Sequence, residues 1–71
     1  MATAQDVRFA LDEHGLSHYV VAVRTSRDGA SAVAICTLAG AGAVKSALVS
    51  RGYSVAVVDS ENPEFSSLRV H

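Results

Sequence analysis

Between Leu38 and Glu61 the chain reads LAGAGAVKSALVSRGYSVAVVDSE, and its residue types are ones that can grip a phosphate. Gly40 and Gly42 stand in G-x-G spacing ahead of a helical stretch, and Asp59 follows Gly40 by 19 residues. Glycines let backbone N–H groups approach a pyrophosphate, and the N-terminus of the following helix adds partial positive charge. An acid about 20 residues further on can hold a ribose hydroxyl. Lys45 adds a countercharge, so Gly40, Gly42 and Lys45 are the candidate ligand-binding residues for a nucleotide or a smaller anion.

The stretch resembles a dinucleotide-binding motif locally, over about a third of the chain. It departs from that motif in three respects. Lys45 stands where a third glycine would permit close helix–strand packing, and only eleven residues lie between Gly40 and Gly52. The strand entering the turn is also the second arm of a hairpin, and 71 residues do not hold a doubly wound sheet. The plainer reading is that the two glycines let the chain leave a strand and begin a helix.

Other chemistry-bearing residues form no set. His14 and His18 have the numerical spacing of metal ligands, but Gly15 breaks the helix between them, and Cys36 is the one thiol that could join them. Cys36 lies mid-strand on an apolar face, where a thiol behaves as a small hydrophobe. Asp12, Glu13, Asp59 and Glu61 supply carboxylates without a paired base, and no Ser-His-Asp or Cys-His signature is present. The expectation is a chain without catalysis, cofactor or metal.

The single cysteine excludes an internal disulfide. The N-terminus MATAQDVRFA lacks the charged and apolar regions of a signal peptide, and no apolar run nears the ~20 residues of a membrane span. These features predict a cytoplasmic protein. Net charge is −1, and the six basic residues are scattered along the chain, which argues against nucleic acid as a partner. With 12 Ala and 11 Val against one Lys and one Ile, the composition points to a GC-rich bacterial or phage genome.

The elements that must position these residues follow from capping and periodicity. Thr3 caps a helix over Ala4 to His14, with Val7, Ala10, Leu11 and His14 on one face; Gly15 ends it and Leu16 folds back on Leu11. SHYVVAVRT and SAVAICTL are β-branched runs joined at Asp28-Gly29, the signal for a two-residue type I′ hairpin. That register places Tyr19, Val21, Val23, Ala34, Cys36 and Leu38 on one face, and Val20, Ala22, Arg24, Val33, Ile35 and Thr37 on the other. A second helix follows over about Ala41 to Arg51, ended by Gly52 with Tyr53 folding back on Leu48, and then a strand, YSVAVVD. Asn62-Pro63 breaks the chain, and the 60–71 tail ends in SSLRVH, which reads as a short fourth strand or a helical turn from Pro63.

VRFALDEHGLS (7–17) and VKSALVSRGYS (44–54) agree at five of eleven positions, which reads either as two short amphipathic helices converging on the same glycine-stop letters or as two α-β halves related by a pseudo-twofold. Residues 1–71 therefore read as one α+β domain, a small two-layer sandwich of order α-β-β-α-β with a further C-terminal strand. In architecture it is similar to a ferredoxin-like sandwich, in truncated form or circularly permuted so that the tail strand fills the place of the missing first one.

The strands are apolar on both faces, whereas an antiparallel sheet with one wet face should alternate. Two short helices on the same side would leave Val20, Ala22, Val33 and Ile35 without a cover. Phe9 points away from the Val7–Leu11 stripe and joins them as a candidate contact residue. These five residues, Phe9, Val20, Ala22, Val33 and Ile35, predict a protein–protein interface, filled by a homo-oligomer or a larger protein partner.

Overall fold

The computed structural model describes residues 2–58 and 62–71. Thr3 opens the first helix, α1 (Ala4–Glu13), through a reciprocal capping box. Its hydroxyl accepts the Asp6 N–H at 3.2 Å, and the Asp6 carboxylate accepts the Thr3 N–H at 3.1 Å. The helix ends at Gly15, whose φ of 68° is the left-handed conformation only glycine adopts freely. There the Leu16 N–H reaches the Leu11 carbonyl at 2.9 Å and the Gly15 N–H reaches that of Asp12 at 3.1 Å, the expected Schellman ending.

A single 3₁₀ turn (Ser17–Tyr19) separates α1 from β1 (Val20–Thr25), which forms a hairpin with β2 (Ala32–Thr37). The expected register holds from the Thr25–Ala32 pair to the Ala22–Ile35 pair, but the turn that sets it is longer than two residues. Only Gly29 has positive φ; its N–H bonds to the Ser26 carbonyl at 3.0 Å, as in a type I turn closed by a left-handed glycine. Both turns share the Ser26–Ser31 closing pair, which is why the register survives the change. The Ser26 hydroxyl and then the Ala30 N–H donate to the Asp28 carboxylate and hold its pKa below the ordinary value.

Helix α2 (Leu38–Ser50) begins directly from the last residue of β2, three residues before the expected Ala41, and β3 (Val55–Val58) and β4 (Phe65–Val70) complete the chain. The sheet order is β1-β2-β4-β3, with every neighbouring pair antiparallel. The tail thus forms a strand, and it sits at the centre of the sheet between β2 and β3. Two helices and a four-stranded antiparallel sheet make this a small α+β domain.

Both helices pack on one side of the sheet. Val7, Ala10 and Leu11 of α1 and Val44, Ala47 and Leu48 of α2 close over Val23, Ala32, Ala34, Cys36, Leu68 and Val70. The molecule is correspondingly thin, 27 × 25 × 16 Å, as expected of one helix layer on one sheet layer.

Gly40 explains itself in this packing. It is buried in the first turn of α2, and a Cβ there would overlap Cβ and Cγ of Tyr19, atoms close to the Tyr19 backbone that cannot swing aside. Gly42, in contrast, is exposed and its Cβ position is open. Gly40→Ala should therefore cost about 1–3 kcal/mol through overpacking. Gly42→Ala should gain roughly 0.5–1 kcal/mol from helix propensity. Urea denaturation midpoints of the two variants check this opposition.

Candidate functional site

Among the described residues no helix lies on the second face of the sheet, whose residues follow in rows from the strand register. One row runs Arg24, Val33, Arg69, Ala56 across the four strands; the next runs Ala22, Ile35, Ser67, Val58; Thr37 and Phe65 form a third. Arg24, Val33, Ile35, Phe65, Ser67 and Arg69 of these rows, together with Val21 and Arg27, border an open depression of about 720 Å³. Its centre is aliphatic and aromatic, through Val33, Ile35 and Phe65. Its flanks are cationic, through Arg24, Arg27 and Arg69; no carboxylate is among the described lining residues, and the Asp28 carboxylate of the hairpin turn is near enough to feel the charge of Arg69. Half of the chain's basic residues, dispersed in sequence, thus share one surface.

Of the five residues expected at an interface, three stand on this face: Ala22, Val33 and Ile35. Val20 does not, and the reason is a β-bulge. Val20 pairs with Cys36 while Ala22 pairs with Ile35, so Val21 is an extra residue that reverses the alternation. Val20 therefore packs against the core, and Val21 turns outward. Phe9 lies on the helix layer, 57% exposed, with the Arg51 guanidinium 5.8 Å from its ring. Arg51 in turn meets the Glu13 carboxylate at 2.6 Å, an exposed bridge between the ends of α1 and α2.

The residues proposed to grip an anion are not arranged as a loop. Gly40 and Gly42 lie within α2, Gly40 facing Tyr19, and Lys45 is exposed in the second turn of the same helix. The phosphate-gripping turn inferred from glycine spacing is thus replaced by regular helix, because the alanines around the glycines favour it enough for Thr37 to pass straight from strand to helix. Asp59 and Glu61, the acids that would have completed this set, lie outside the described residues. His14 caps α1, His18 stacks on Tyr19 at 4.1 Å, and Cys36 is in the core. Among the described residues no three His, Cys, Asp or Glu side chains converge as metal ligands would. No helix of the described residues is long and apolar enough to cross a membrane.

Phe65 and Arg69 were the residues that sequence reasoning did not assign to this face. The hairpin register had put Arg24 beside Val33 and Ile35, but only the insertion of β4 next to β2 adds Phe65, Ser67 and Arg69. No family model matches the chain, and no curated protein or solved structure does so either.

The core face carries one chemical consequence. Burial pushes the Cys36 thiol from 9.0 up to about 11. The folded state thus keeps its proton where the unfolded chain loses it, so this contribution to stability is complete below pH 9 and disappears as pH rises towards 11. Two pKa units correspond to at most about 2–3 kcal/mol. Stability measured by urea from pH 8 to pH 11 should fall along this limb, and Cys36→Ala, though less stable at neutral pH, should show a flatter one.

Proposed function

We propose that this chain is a non-catalytic interaction module that buries its uncovered sheet face against another protein surface, either a second copy or a larger assembly. The observation that carries the reading is the placement of both helices on one side, which leaves Val33 and Ile35 partly open to water in a continuous apolar strip with Phe65. A monomer that needed only its own core would gain from polar residues at those positions. Full burial of an exposed Val or Ile is worth roughly 1.5–3 kcal/mol, and the part of Val33, Ile35 and Phe65 still open to water gives a partner a fraction of that at each position, summed over the strip.

The shape of the face supports a macromolecular surface over a small ligand. A depression this open cannot enclose most of a small molecule, as ligand pockets usually do. The architecture is read here as a circularly permuted ferredoxin-like sandwich. Moving β4 to the front of the chain turns α-β-β-α-β-β into β-α-β-β-α-β with that strand at the centre of the sheet. The lone, buried thiol is compatible with the reducing cytoplasm as the place of action.

Light scattering on a sizing column across a concentration series tests the reading. With a second copy as occupant, the wild-type chain should show a mass above that of one copy, and Ile35→Asp, which sets a carboxylate into the apolar strip, should return it to a monomer with unchanged circular dichroism. An association that Ile35→Asp leaves intact would place the contact elsewhere.

A further inference from the structure

On the opposite side of the molecule α1 carries a surface of the reverse character. Phe9 sits about 150° around the helix from the buried Val7, Ala10 and Leu11 stripe, so its ring projects away from the sheet. The four positions that neighbour it on a helix, three and four residues away, are Gln5, Asp6, Asp12 and Glu13, all exposed. Three carboxylates thus neighbour this apolar anchor: Asp6 accepts the Thr3 N–H, Asp12 the Ser17 hydroxyl and Glu13 the Arg51 guanidinium, each with an oxygen lone pair left for a further donor. Two cations stand at their margin: Arg51, bonded to Glu13, and Arg8, which shares with Asp12 a small cleft against Val20 to Val23 on β1.

The two surfaces are complementary. The sheet face offers an aliphatic bed between Arg24, Arg27 and Arg69, with no carboxylate among its described lining residues; the outer face of α1 offers an aromatic knob between Asp6, Asp12 and Glu13. Resting on the proposed role of the sheet face, we infer that its occupant is α1 of a second copy, docked head to tail. Phe9 of the second copy would rest on Val33 and Ile35, and its flanking carboxylates would meet the arginines, an arrangement that both desolvates the anchor and fixes its orientation. Such a contact is heterologous: each copy uses a different surface on each side, so association continues beyond the dimer unless a ring closes.

The test is complementation between two broken copies. Ile35→Asp destroys the bed and keeps the knob; Phe9→Lys destroys the knob and keeps the bed. Each variant alone should be monomeric in light scattering, and an equimolar mixture should form a one-to-one heterodimer and nothing larger, whereas the wild type should gain mass steadily with concentration. The Arg24→Glu/Arg69→Glu pair, at exposed positions, replaces Ile35→Asp if the latter loses its circular dichroism. Raising NaCl from about 0.05 to about 0.5 M should shift association to higher concentration, since the paired charges are exposed. A dimer that survives Phe9→Lys would overturn head-to-tail docking while keeping the sheet face as the contact. A wild-type monomer at every concentration would overturn the docking alone, because a different protein could still cover the sheet. Association that persists in both Ile35→Asp and the double arginine variant would overturn both readings.

Discussion

The packing of α1 and α2 side by side over a single sheet face is the constraint from which the remaining features follow. Helices of ten and thirteen residues are about 15 and 20 Å long, enough to cover one face of a four-stranded sheet but not two. Their approach depends on small residues beneath and between them. Ala32, Ala34 and Cys36 on β2 leave room for Leu11 and Leu48, and Gly40 lets the start of α2 come down onto the Tyr19 ring. The alanine-rich composition, which looks weak as a source of hydrophobic stabilisation, is what permits a tight two-layer core. The same economy leaves the other sheet face without a cover.

The internal repeat has a structural counterpart in the way each helix ends. Gly52, at φ 94°, closes α2 as Gly15 closes α1: the Tyr53 N–H reaches the Leu48 carbonyl at 3.1 Å and the Gly52 N–H reaches that of Val49 at 3.0 Å. The matched residues Val7 and Val44, Ala10 and Ala47, and Leu11 and Leu48 are all in the core. The central strands extend the relation, because β2 and β4 are both six residues long and pair end to end, Ala32 with Val70 and Thr37 with Phe65. The element order repeats α-β-β twice, and the two similar helix ends fall at matching places in it.

Much of this was legible in the residues. Glycine stops, the Thr3 cap and the hairpin register depend on local backbone chemistry, and local chemistry is what a sequence states directly. The start of α2 was misread for a physical reason: Gly40 signals a turn by its own propensity, whereas here it is required by Tyr19, a residue twenty-one positions away in contact through the fold. The bulge at Val21 was equally hidden, since alternation in VVAV is the same in either phase and only the packing of Val20 against the core chooses one. Of the candidate face, Ala22, Arg24, Val33 and Ile35 could be read from the hairpin. Phe65 and Arg69 could not, because placing β4 beside β2 is a long-range choice that no local pattern encodes.

The mixed character of the open face bears on why it remains compatible with a folded chain. A face of Val and Ile alone would invite indiscriminate association, but here the row containing Val33 also holds Arg24 and Arg69, and the row containing Ile35 also holds Ser67. Guanidinium groups at the margin keep water close when the face is free and reject any partner that brings cations of its own. The edges of the sheet are treated unequally: β1 carries a bulge and Arg24, while β3 is protected chiefly by its length of four residues. The face thus places charge around an apolar centre. The fold supplies that placement by inserting β4, with Arg69 and Phe65, into the middle of a sheet whose hairpin alone would have been nearly featureless.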